Sequence, residues 1–165
     1  MSELTYIKAK ELIFENEDLA DFSGERPINF IEKAERVIGL KFPSLYSGFL
    51  KEFGYLGFGA QEVYGIINDD FVNSSIPDGI WYTLQLREDV NLPSNFLAIC
   101  YDGMEEVYCL DFNNVDKNGE PKVVAIDMGY DLEHQKIQIV AEDFGDFLLE
   151  LVELELELEN ESDDE

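Results

Sequence analysis

Positive charge is what this sequence has least of. Eleven Lys and Arg residues stand against 37 Asp and Glu, a formal net charge of -26 with a pI near 4.1. Like charge at this density repels phosphate backbones and anionic lipid surfaces, so direct binding to nucleic acid or membrane is disfavoured. Histidine is nearly absent too. His134, between Glu133 and Gln135 in a polar stretch, has no neighbour in sequence that would make it a general base, and it reads as a surface residue. One histidine and two separated cysteines do not supply the ligands of an ordinary structural zinc site. No apolar run approaches the length of a membrane span, and the start has no basic segment followed by an apolar one. The compartment expected on these grounds is the cytoplasm.

Cys100 and Cys109 lie in one apolar region. A tight hairpin turning at Asp102-Gly103 would set Cys100 opposite Glu105 and Cys109 opposite Phe96, so both read as buried reduced thiols. Gly54, Gly57 and Gly59 lack dinucleotide-loop spacing and read as turn glycines. Asn114 to Gly119 places oxygen-bearing residues like a calcium loop. The twelfth position is Ala125, however, so a plain hairpin loop is expected. No nucleophile elbow or phosphate loop is present. No cofactor or metal is expected, nor is any catalytic residue.

What is present is apolar: 45% hydrophobic and 13% aromatic residues, enough for one folded domain of ordinary size. Leu4 to Phe14 reads as a helix with Tyr6, Ala9 and Ile13 on one stripe. Asn29 is placed to cap a second helix with Glu32 in a capping box, Ile31, Ala34 and Ile38 on its buried face, and Gly39 at its end. Pro43 opens a third, where Tyr46, Phe49, Leu50 and Phe53 share a face and Gly54 follows. The two should pack as a helical hairpin.

Glu62 to Ile67 is strand-like, and Asp78 to Val90 reads as a helix. Strands are predicted at Asn95–Tyr101, Glu105–Phe112 and Lys122–Asp127, with turns at Asp102-Gly103 and Asn118-Gly119. A closing helix carries Phe144, Phe147, Leu148 and Leu151. The fold class is α+β: a single domain with a helical hairpin, a central, mostly antiparallel sheet and a C-terminal helix. The domain is expected over 1–151, with 152–165 an acidic extension, frayed or disordered. From Glu142 onward there are 12 acidic and no basic residues. The remainder still carries 25 acidic against 11 basic, so the acidity is not confined to the tail.

The segment from Ile31 to Pro43, continuing Ser44 to Gly54, resembles the signature of the SUKH superfamily. It is most similar to the Smi/Knr-type branch, named from a yeast cell-wall-synthesis regulator. Glu35, Gly39, Leu40, Pro43, Tyr46, Phe49 and Leu50 occupy the matching positions, with Phe42 where leucine is usual. Glu62 to Gly65, Leu92-Pro93 before Phe96 to Cys100, Asp102-Gly103, Tyr108 to Asp111 and Phe144 to Leu149 agree in order. The resemblance spans most of Ile28 to Leu151.

It implies an α+β fold and a non-catalytic role. Bacterial members are mostly immunity proteins that bind and neutralise cognate toxin domains, often nucleases. The resulting expectation is an immunity protein masking a basic toxin domain sterically and electrostatically. A regulatory scaffold, as in the yeast relatives, is the alternative, and a carboxylate-based hydrolase is the third reading. Trp81, Tyr82, Asp102, Glu105 and Glu106 are the expected partner-binding residues, aromatics and acids gathered around one loop region.

Overall fold

The computed structural model describes residues 2–163. Along the chain come α1 (Ser2–Glu15), β1 (Ala20–Asp21), α2 (Ile28–Ile38), α3 (Ser44–Glu52), β2 (Leu56–Phe58) and β3 (Gln61–Val63). Then follow α4 (Gly79–Val90), β4 (Phe96–Tyr101), β5 (Glu106–Val115), β6 (Pro121–Asp127), β7 (Gln138–Ala141) and α5 (Phe144–Asp163). The strands form two antiparallel sheets, β1-β2-β3 and the meander β4-β5-β6-β7. The architecture is the expected α+β domain with a C-terminal helix.

The helical stripes read from the sequence are the buried ones. Tyr6, Ala9 and Ile13 of α1, Ile31, Ala34 and Ile38 of α2, and Tyr46, Phe49 and Leu50 of α3 all face inward. Tyr46, Phe49 and Phe144 form a ring cluster with centroids 5.2–5.8 Å apart. Such pairs add about 0.5–1.5 kcal/mol each beyond the area they bury. The capping detail differs from expectation. α2 begins at Ile28 with Pro27 as its N-cap and no side-chain cap bond, so Asn29 lies inside the first turn and forms no capping box. Gly39 ends the helix at φ 76°, a left-handed conformation that costs glycine little. The Glu35 carboxylate then accepts the Phe42 N–H at 2.8 Å, which fixes the link between the two helices.

β4, β6 and the first half of β5 are buried on both faces. Leu97, Ile99, Leu110 and Val123 pack with the helices in one cluster, and Phe96, Ala98, Val107, Cys109, Val124 and Ile126 form another with Leu86 of α4. Thr83 of α4 is fully buried and its hydroxyl accepts the Ala98 N–H at 2.9 Å while donating to Gly79 O at 2.7 Å. This joins the helix to β4.

The expected pairing of the cysteines is corrected. Cys100 faces Tyr108, Cys109 faces Ala98, and the ladder is irregular between Ala98 and Cys100. The connection is a wider loop than a two-residue turn, and the bulge turns Cys100 into the helix-side cluster while Cys109 lies in the other. Both thiols are free and buried. Burial pushes Cys100 up to about 12 and Cys109 higher still.

The expectation for residues 152–165 is corrected as well. α5 continues through Asp163, with Val152 and Glu155 buried and Leu156 packed on the core. It runs beside α1 in the same sense, tied by the Thr5 hydroxyl to Asp146 at 2.8 Å and by Lys8 to Glu153 at 3.9 Å. Asp164 and Glu165 lie outside the described residues. The strand expected at Glu62–Ile67 is shorter, its second half being Tyr64 bonded to Ile99 O and an isolated bridge from Gly65 to Asp78.

Candidate functional site

The acids singled out in sequence come together in the loop between β4 and β5. Asp102 Oδ1 accepts the backbone N–H groups of Met104, Glu105 and Glu106 at 2.8, 3.1 and 3.1 Å. One carboxylate therefore organises the whole loop, and the chain closes behind it through the Asp102 N–H to Glu106 O bond. The loop rests on the end of β6, where the Met128 N–H donates to Glu105 O at 2.8 Å. Asp102, Glu105, Glu106 and Asp127 line one open depression with Met104. Met104 is 80% exposed, so a large apolar side chain stands within a ring of carboxylates.

The two aromatics behave differently. Asp78 caps α4 by accepting the Ile80 and Trp81 N–H groups at 3.0 and 2.9 Å, which sets both rings in the first turn of that helix. Tyr82 packs edge-on against Tyr64, centroids 5.5 Å apart. It also packs against the cluster of Phe96, Ala98 and Val107, beside the strands that flank the loop, and burial raises its pKa. Trp81 is half-buried and about 100° around the helix from Tyr82. Tyr82 is thus mainly a packing residue behind the loop, and the structure joins Trp81 to no acid of the group.

Asp102 also forms the lip of a second feature, a groove of about 290 Å³ between α5 and the sheet. Tyr108 and Phe147, rings 5.6 Å apart, line it together with Val140, Glu150 and Leu154. Val140 and Leu154 are 37% and 53% exposed. Partial burial and then repulsion from Asp146 and Glu153 raise the Glu150 carboxyl. Sequence reasoning missed Met104, Asp127, Val140, Glu150 and Leu154. Only Met104, an apolar residue inside an acidic turn, carried a visible signal.

The remaining sequence candidates lie away from this loop. His134 lies in a short 3-10 turn, largely exposed beside Asp131. In the loop before β6, Asp116 Oδ1 accepts the Asn118 and Glu120 N–H groups, the internal bonding of a hairpin turn. Among the described residues no three His, Cys, Asp or Glu side chains gather to hold a metal, and no helix is long and apolar enough to cross a membrane. Asp78, Glu120 and Glu150 have raised carboxyl pKa values. They stand apart: Asp78 caps α4, and Glu120 and Glu150 line different depressions.

These features define an α+β domain whose helical hairpin and closing helix cover one face of an antiparallel meander. The chain belongs to the SUKH family: the family model described as SMI1-KNR4 cell-wall matches residues 29–148. In fold it is similar to a protein from Pseudomonas syringae pv. tomato solved by crystallography. The TM-score is 0.58 at 13% identity, over 84% of this chain and 93% of that one. No curated protein matches it significantly in sequence.

Proposed function

We propose that the protein is an immunity-type inhibitor that binds a cognate toxin domain, a basic nuclease, and blocks it by covering its substrate-binding face. The observation that carries this reading is the β4–β5 loop, where Met104 stands exposed inside the carboxylates of Asp102, Glu105, Glu106 and Asp127, next to the apolar groove under α5. Apolar anchors within a polar rim are how protein interfaces divide affinity from steering. The acids would draw in a basic partner and disfavour acidic ones, and Met104, Val140 and Leu154 would supply contact area. Membership of the SUKH family, whose bacterial members mostly neutralise toxins, supports the same reading. The protein would act in the cytoplasm, without a cofactor.

A regulatory scaffold is the second reading, favoured by the cell-wall description of the family. It would use the same surface. A carboxylate hydrolase has less to build on, because the raised carboxyls do not share a groove.

Co-expression with the product of the adjacent gene tests the proposal, followed by binding kinetics at two salt concentrations. Protection of the cell and an on-rate that falls with salt are expected. A neighbouring product that is not toxic, or toxicity that persists beside abundant folded protein, leaves the scaffold reading in its place.

A further inference from the structure

The groove between α5 and the sheet has walls of two kinds. Tyr108, Val140, Leu151 and Leu154 supply apolar surface, and each is open to solvent in part. Among the described residues, the charged groups that line it are Asp102 and Glu150, both exposed. Neither is paired with a lysine or arginine among the described residues, and α5 has no basic residue over Phe144–Asp163. The three backbone N–H groups that organise the loop go to Asp102 Oδ1, so Oδ2 takes part in none of those bonds. Burial first, then Glu106 and Asp102, hold the Tyr108 hydroxyl above its ordinary pKa. The negative field of the loop therefore extends into the groove.

Apolar wall exposed to water gains from being covered, and carboxylates without a counter-charge gain from a cation. A small inorganic cation meets only the second need. A purely apolar side chain meets only the first and strips water from the carboxylates. Lysine and arginine carry both parts, a stem that lies along apolar surface and a charged head that stays near water. Either head can also lie over an aromatic ring. At about 290 Å³ the groove is at the small end of ligand pockets, with room for one side chain and not for a folded segment. A second copy of this chain is a poor occupant, because at -26 it brings like charge to an acidic rim.

We propose that the groove receives one long basic side chain, a lysine or arginine, of the protein partner. Its stem would lie along Tyr108, Val140 and Leu154, with its charged head among the rim carboxylates. The inference rests on the reading of this surface as the partner-facing one, and it adds the residue that anchors the partner there.

The test titrates the isotope-labelled full chain with a blocked Gly-Lys-Gly peptide and follows the backbone amides by NMR. Saturable shifts centred on Gln61, Tyr108, Val140, Leu151 and Leu154 are expected. The norleucine peptide keeps the stem without the charge, and the diaminopropionyl peptide keeps the charge on a short stem. Each should bind about threefold or more weakly than the lysine peptide. Gly-Arg-Gly in place of Gly-Lys-Gly shows which head the groove prefers, and saturable binding of either supports the site. Glu150→Gln, at an exposed position, should weaken binding by about threefold. Leu154→Lys, also exposed, sets a tethered basic stem at the groove and should abolish it, whereas Glu32→Gln on α2 makes the same charge change as Glu150→Gln and should leave binding unchanged. The proposal is overturned if neither basic peptide saturates these amides, if either truncated probe binds as tightly as lysine, or if Glu150→Gln and Leu154→Lys both keep full affinity. With the co-expressed partner, Leu154→Lys should speed dissociation by about tenfold or more, and a parental dissociation rate overturns the anchor. A neighbouring product that is not toxic defeats the immunity reading and leaves the peptide result standing. Failure of the peptides defeats the groove and leaves the immunity reading standing.

Discussion

Glu155, deep in the second half of α5, accepts the backbone N–H of Ala60 at 2.9 Å and is 4% exposed. The carboxylate reaches the turn between β2 and β3 across 95 residues of sequence, where Gly59 at φ 59° leaves room that a Cβ would take from it. This bond, with Val152 buried one turn earlier, makes the helix beyond Leu151 part of the domain.

Ending the chain after Leu151 should therefore cost several kcal/mol. The loss combines a buried valine, about 1.5–3 kcal/mol, with the Ala60 N–H left without its acceptor, about 1–3 kcal/mol. Ending it after Glu159 should leave the melting temperature unchanged or slightly raised. Residues 160–162 are exposed, and Glu161 and Asp163 bring negative charge to the negative end of a helix dipole. Thermal melts of the two truncations decide, and equal Tm values would show that the Glu155 region adds nothing.

Phe49→Ala should destabilise the fold by about 3–5 kcal/mol, the range for removing a buried ring without collapse of the site. Phe49 is fully buried and meets the rings of Tyr46, Phe53 and Phe144 at 5.8, 5.7 and 5.2 Å. Chemical denaturation reads the loss, and a value under about 1 kcal/mol contradicts this packing.

The helical half of the fold was legible because Tyr6–Ala9–Ile13, Ile31–Ala34–Ile38 and Tyr46–Phe49–Leu50 repeat at the helix period. α5 hid its second half. Its inward stripe is Phe144, Leu148, Val152, Glu155 and Leu156, and a buried glutamate in that stripe, inside alternating Leu and Glu, breaks the apolar signal. β1, β2 and β7 were missed because two to four residues carry no period; Ile139 and Val140 in β7 stay partly exposed. The acids of the β4–β5 loop could be read from the sequence, but the groove that Asp102 shares with Val140, Glu150 and Leu154 depends on β7 and α5 meeting in space.

Asp78 should give stability a distinct pH dependence. Burial pushes its carboxyl up to about 6, partly countered by the N–H groups it caps; in the unfolded chain it titrates near about 3.9. Between those values the folded state holds a proton that the unfolded state releases, so this contribution to stability is present at low pH and fades as pH rises toward 6. Asp78→Asn keeps a good N-cap and removes the titration. Relative to that variant, the parent should lose about 1 kcal/mol or more between pH 5 and pH 7.5. Urea denaturation at both pH values checks this, and parallel curves contradict it.

The acidic loop requires two kinds of substitution, because Asp102 holds the loop while Glu105 and Glu106 decorate it. Asp102→Asn keeps an oxygen for the three N–H groups and should preserve the loop. Asp102→Ala leaves those donors to water and should loosen it, seen as faster amide hydrogen exchange at Met104, Glu105 and Glu106. Reversing Glu105 and Glu106 to lysine leaves that framework intact and changes only the field. If this surface meets a basic toxin, the double reversal should slow association by roughly tenfold or more at low salt, less at high salt, with a smaller change in dissociation. Reversing Asp163, Asp164 and Glu165 alters the net charge by more and should slow association less, because steering depends on where the charge lies. Stopped-flow binding of the parent, the loop reversal and the tail reversal to the co-expressed partner separates the outcomes. If the tail reversal slows binding as much as the loop reversal, net charge is at work, and the β4–β5 loop is not the binding surface.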